Sequence, residues 1–187
     1  SLPWRTMNDL TPPERFDYCV NIILEHEGGL SLDKRDPGGV TKWGISLRFL
    51  RAIGLDIDGN GIIDKNDVIG LSKQASKKIY RTHWWEKYSY ARFTSLDVAA
   101  KVFDLSVNMG PSTAHKLLQI AINRLSGKSL KVDGIVGINT FRAANFLDGK
   151  ALREELRECA FHKYIEILAD HPNMEWCRNG WLNRAAW

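Results

Sequence analysis

The chain has 187 residues, 44% of them hydrophobic and 26% charged, with 26 Lys and Arg against 22 Asp and Glu for a net charge of +4. That length can bury one sizeable core, or two small ones sharing an interface. The modest basic excess suits an anionic partner without choosing among cell wall, nucleic acid and lipid surface. No run approaches the roughly 18–20 apolar residues of a membrane span, and Ser1 to Leu10 lacks the basic-then-apolar order of a secretory signal.

In chain order the pattern is mainly helical. Thr11-Pro12-Pro13-Glu14 combines a capping-box pair with prolines in a first turn. Phe16, Cys19, Val20, Ile23 and Leu24 then recur at helical spacing until Gly28-Gly29. The glycine-rich stretch 36–46 predicts a small hairpin or irregular loop. Further helices are predicted at about 46–55, 72–85, 98–109, 113–125, 140–146 and 151–169, with a break over 127–137. A boundary near Gly110-Pro111 divides a lobe over 1–110, carrying an acidic insertion at 56–67, from a helical lobe over 111–187, the two packed as one body. The fold class is mainly α with a small β-hairpin or loop element. Cys19 and Cys159 fall inside helical patterns, where a thiol is a small core residue, and with Cys177 they form neither a disulfide framework nor a CxxC metal site.

Glu27 extends the stripe Phe16, Val20, Ile23 by one more helical step. A carboxylate there points toward the core side, where partial burial disfavours the ionised form, as a general acid working near neutral pH requires. The glycines beside it let a polymer approach closely. Asp36 and Thr41 follow on a different element. A Glu facing an Asp or Thr across a cleft suits glycosidic cleavage: one group protonates the leaving oxygen, the other orients water or steadies an oxocarbenium-like state. Spacing alone equally allows a helix-end Glu beside a plain Asp-Pro-Gly-Gly turn.

The segments Ile23-Leu24-Glu25-His26-Glu27-Gly28-Gly29 and Asp36-Pro37-Gly38-Gly39-Val40-Thr41-Lys42-Trp43-Gly44-Ile45 resemble the signature of glycoside hydrolase family 108, phage and bacterial N-acetylmuramidases. Residues 79–85 (IYRTHWW) resemble that family's tyrosine–tryptophan helix, and 102–110 (VFDLSVNMG) its next helix. Residues 132–140 (VDGIVGINT) and 180–184 (GWLNR) are similar to its companion peptidoglycan-binding region. The resemblance runs from about Phe16 to Arg184. It implies a lysozyme-like fold and an endolysin-type muramidase that cuts the β-1,4 bond between N-acetylmuramic acid and N-acetylglucosamine, with Glu27 as its essential acid. The order Glu, Asp, Thr is also similar to coliphage lysozymes, which extends candidate catalytic roles to Asp36 and Thr41. A phage lysis enzyme delivered by a holin needs no signal of its own, and its route would run from host cytoplasm to periplasm and wall. Two rivals accompany this reading, a lytic transglycosylase and a non-catalytic wall-binding or secretion-assisting module.

Residues 56–67 (DIDGNGIIDKND) place side-chain oxygens of Asp56, Asp58, Asn60, Asp64 and Asp67 at positions 1, 3, 5, 9 and 12 of an EF-hand-like loop. Gly61 stands at the sharp turn, and Ile62 at position 7 offers its carbonyl. Asp67 replaces the usual Glu, as in the calcium loops of dockerin modules, which these residues resemble. The expected ion is structural Ca2+, with none needed for catalysis; the alternative is a solvated Asp/Asn/Gly turn.

Trp43, Trp84, Trp85, Tyr88 and Tyr90 can stack on sugar rings, although aromatics at helical spacing are more often core, and at least half are expected there. Asp104 and Asn108 share a helix face, lining either the cleft or a solvated stripe. The expected substrate contacts are Trp43, Tyr80, Trp84, Asp104 and Asn108. Five histidines form no metal-ligand spacing, and His26-Glu27 is not HExxH. No nucleophile triad or phosphate loop occurs, and Lys and Arg are spread without a basic arm. Peptidoglycan is the expected partner, with no nucleic acid and no membrane span, for a chain acting as a monomer.

Overall fold

A computed structural model of the chain describes residues 5–32 and 39–187. The first helix, α1 (Pro12–Glu27), begins where expected: the Thr11 N–H donates to Glu14 Oε2 at 2.7 Å, and Arg5 pairs with the same carboxylate. Those contacts, the Arg5 hydrogen bond foremost, hold the Glu14 carboxyl down to about 2. Phe16, Cys19, Val20, Ile23 and Leu24 are all buried, so the stripe in the sequence is the buried face. Burial pushes the Cys19 thiol up to about 12, which makes it an inert core group. Gly28, at φ 67°, ends the helix with its N–H on the Leu24 carbonyl.

Three short antiparallel strands follow, β1 (Leu30–Ser31), β2 (Thr41–Lys42) and β3 (Ile45–Ser46), in the order β1-β2-β3. Lys42 pairs with Ile45, so Trp43 and Gly44 alone make the β2–β3 turn. Both have positive φ, 53° and 77°, the requirement of a tight type I′ hairpin. The helices α2 (Leu47–Ile53), α3 (Lys65–Ile69) and α4 (Lys73–Tyr80) come next, α4 running into a π-turn over Arg81–Glu86. Ser46 and Ser72 cap α2 and α4 through their hydroxyl oxygens.

The rest is a helical assembly of α5 (Leu96–Met109), α6 (Pro111–Ser126), α7 (Ile138–Phe146), α8 (Gly149–Asp170) and α9 (Arg178–Ala186). Helix α5 is the central post, apolar on nearly every side, and it packs against α1, α6 and α8, while α8 also holds α9. The mainly α fold with a small hairpin is therefore as predicted. Two helices, α3 and α9, carry no strong pattern and were not expected. The first is very short, and the second interrupts its apolar residues with Arg, Asn and Gly.

Candidate active site

Glu27 is the last residue of α1, and its side chain lies under the β2–β3 turn. A methyl group on Gly44 would fall 2.6 Å from Glu27 Cγ and 2.5 Å from the Tyr80 hydroxyl oxygen. The turn backbone thus presses directly on the carboxylate side chain, and only glycine fits. Tyr80 clamps the same turn from below, donating from its hydroxyl to the Trp43 carbonyl at 2.8 Å. Burial, with Glu27 close by, pushes that phenol well above its ordinary range, so it stays a neutral donor.

The burial predicted for Glu27 is present: 20% of its side chain is exposed. A cation unannounced by sequence spacing faces this carboxylate: Arg184 Nη1 stands 2.8 Å from Glu27 Oε1. Arg184 comes from α9, where the side chain is 7% exposed. Its Nε and Nη2 both donate to Asp104, at 3.0 and 2.8 Å, in a bidentate pair. Asp104, on α5, is fully buried and also meets His26 Nδ1 at 2.9 Å. Burial alone would raise the Asp104 carboxyl, but the His26 contact and the Arg184 charge outweigh it and hold it low. Burial likewise opposes the Arg184 charge, and Asp104 and Glu27 more than restore it.

The expected substrate residues separate into two groups. Tyr80 and Asp104 are corrected: both are fully buried, one clamping the hairpin and the other neutralising Arg184, so neither presents a face to a sugar. Asp104 is equally far from the solvated stripe offered as its alternative. Trp43, Trp84 and Asn108 are half-buried. The Asn108 carbonyl oxygen accepts from the Tyr164 hydroxyl at 2.6 Å, and the Tyr164 ring stacks on Trp181. Phe49 stacks on Trp84, and the indole N–H groups of Trp43 and Trp84 have no acceptor among the described residues. Of the five aromatics, Trp85 and Tyr90 are buried in the core, and Trp43, Trp84 and Tyr88 are half-buried and packed against it. Thr41 sits on β2 opposite Ser31 and Ser46. Asp36 lies outside the described residues.

Among the described residues, Asp56, Asp58 and Asp67 bring carboxylate oxygens within 4.8 Å of one another; Asp64 is not in that group. Asp64 instead caps α3, accepting from the Asn66 N–H at 2.8 Å. Asp56 accepts from the N–H groups of Gly59 and Gly61, and Asn60 Oδ1 from that of Ile62. Asp67 is fully buried and holds the N–H groups of Ile57, Asp58 and Asp64. Its hydrogen bonds, that from Asp64 first, keep the Asp67 carboxyl low. At Asp58 the hydrogen bond from Asn60 acts downward, but desolvation and the Asp56 and Asp67 carboxylates leave it raised.

Sequence reasoning missed Arg184, His26 and the clamp role of Tyr80. The available signal was a pair of charges, Lys101 and Asp104, set among the apolar residues of 98–105 in α5. Charges buried in such a helix need partners elsewhere in the chain.

Comparison with known proteins agrees with this architecture. The family model described as Glycosyl hydrolase 108 matches residues 20–110, and that described as Predicted Peptidoglycan domain matches residues 113–186. Among solved structures the chain is similar to SagA of Brucella abortus, at 25% identity and a TM-score of 0.72, over 91% of this chain and 89% of that one. No curated protein matches the chain. The chain thus joins a segment that matches the glycosyl hydrolase 108 model, residues 20–110, to one that matches a predicted peptidoglycan domain, residues 113–186, the make-up of a glycoside hydrolase that acts on peptidoglycan.

Proposed function

We propose that the enzyme is an endolysin-type N-acetylmuramidase that hydrolyses the β-1,4 bond between N-acetylmuramic acid and N-acetylglucosamine, with Glu27 as general acid. The observation that carries this is the seat of Glu27: a part-buried carboxylate at a helix end, under a glycine turn. Glu27 gives its proton to the glycosidic oxygen as the bond to the muramic anomeric carbon breaks. Asp36 stabilises the oxocarbenium-like charge or places the nucleophile, and Thr41 orients the water that closes the reaction. Trp43, Trp84 and Asn108 flank the sugar, the two indoles supplying stacking faces. The lobe over 1–110 carries the chemistry, and the lobe over 111–187 holds the wall, where the enzyme acts.

We also propose that loop 56–67 binds Ca2+ as a structural ion. The clustered carboxylates of Asp56, Asp58 and Asp67 support this, since their mutual repulsion is what a divalent cation relieves. Asp64 and Asn60 would complete the oxygen set with the Ile62 carbonyl once the hydrogen bonds that the two side chains accept are exchanged for the ion.

Mass spectrometry of digested peptidoglycan tests the bond specificity. Fragments with reducing N-acetylmuramic ends are the expected result. Anhydro-muramic ends would make the enzyme a lytic transglycosylase, and an absence of fragments would leave a wall-binding module.

A further inference from the structure

Glu27 and its ionic partner lie at opposite ends of the chain. Glu27 closes α1 inside the segment matched by the hydrolase family, and Arg184 belongs to α9 inside the segment matched by the peptidoglycan domain. We infer that Arg184 is a positioning residue for the Glu27 carboxyl, so the second domain completes the active centre rather than merely tethering it to the wall. The inference rests on the reading of Glu27 as the acid.

Burying a guanidinium is costly unless its donors are matched. Here they are matched in a way that fixes direction. The bidentate bond to Asp104 consumes Nε and Nη2, leaving Nη1 to face Glu27. Asp104 is itself immobilised, being fully buried and in contact with His26. The main chain behind Arg184 is tied as well, because the buried Lys101 Nζ donates to the carbonyls of Arg184 and Ala185, both at 2.9 Å. Trp187 adds a lid, its ring meeting His26 edge-on at 5.2 Å with Lys101 and Arg153 over it. A guanidinium held at both ends is a fixed strut.

The strut is also charge-balanced. Asp104 offsets the Arg184 charge inside the core, where electrostatic interactions are strong. Glu27 therefore meets an oriented donor whose charge is already shared. A planar fork is needed for both jobs at once; an ammonium on a flexible stem can serve Asp104 or Glu27 but not hold the angle between them.

Steady-state kinetics on the full chain test the inference with Arg184→Lys, which keeps the charge and removes the fork. With folding verified by near-ultraviolet circular dichroism, kcat on soluble muropeptide oligomers should fall on the order of 10²-fold, the scale of a roughly 1 Å misplacement. KM should stay close to wild type. If Arg184→Lys does not fold, the paired variant Asp104→Asn with Arg184→Gln removes both members of the buried pair together and should show the same kcat loss. A folded variant with wild-type kcat overturns the inference, as does a rise in KM at unchanged kcat, which would mark a substrate contact. Glu27→Gln separates the two readings. If it stays active, the acid assignment itself fails; if it is inactive while the Arg184 variants keep full kcat, only the positioning role is lost.

Discussion

Gly44 shows how one missing side chain governs the site. Its φ of 77° disfavours any Cβ, and the space a Cβ would need is filled by Glu27 and the Tyr80 hydroxyl. Gly44→Ala should therefore cost about 1–2 kcal/mol from the left-handed backbone alone. It should also cut wall lysis by more than the stability loss explains, because Glu27 must move. Parallel melting and turbidity assays check this; activity that simply tracks the folded fraction would contradict it. Thr41→Ala, on the same hairpin, should lower turnover mildly, and Asp36→Asn should lower it strongly, both with little change in melting temperature. A large melting shift without a turnover defect would return both residues to a structural turn. Glu27 was legible because the helical stripe ends on it, and the hairpin because glycines and β-branched residues cluster after it. Arg184 was not, since sequence spacing carries no record of a contact between residues at opposite ends of the chain.

The acidic loop belongs to the scale of elements. It is stapled to its surroundings: Arg51 Nε donates to the Ile63 carbonyl at 3.1 Å, and Lys42 Nζ, on β2, donates to the Ile69 carbonyl at the end of α3 at 2.6 Å. An ion that orders the loop therefore also steadies α3 and, through it, the hairpin. Calcium should raise the melting temperature by mass action, and a chelator should reverse the shift. Asp56→Ala with Asp58→Ala should abolish the response while leaving Glu27-dependent activity at low temperature. Calorimetry with no calcium heat, together with no shift between calcium and chelator, would remove the ion from this account. The loop pattern was visible as oxygen side chains at alternating positions. What spacing could not show is that Asp67 spends its carboxylate on three backbone N–H groups, a use open to a short side chain turned back into its own loop.

At the scale of the whole molecule, the long helices and their order were readable because amphipathic or apolar runs with clear caps need little tertiary help. Helix α9 was not, because its face is defined by what it covers: the buried charges of α5. Lys101 carries the most testable consequence of that junction. Desolvation, opposed by Asp104 and joined by Arg153, Arg157 and Arg184, pulls its ammonium from the usual 10.5 to about 7. Between those values the unfolded chain holds a proton that the folded chain lacks, so stability rises with pH across that window. The penalty is fully present below about pH 7 and fades toward 10.5. Thermal melts of wild type and Lys101→Met should diverge accordingly, wild type gaining on the variant as pH increases. A difference independent of pH would mean that Lys101 titrates normally.

The most direct measurement of the central claim is the rate of wall lysis by Glu27→Gln, which keeps the shape and the hydrogen-bonding capacity of the side chain but has no carboxylic proton to give. General acid–base help is worth about 10²–10⁴-fold, so lysis of purified peptidoglycan should fall by that order while the melting curve stays that of a folded protein. Clearance at a rate close to wild type would contradict Glu27 as the acid.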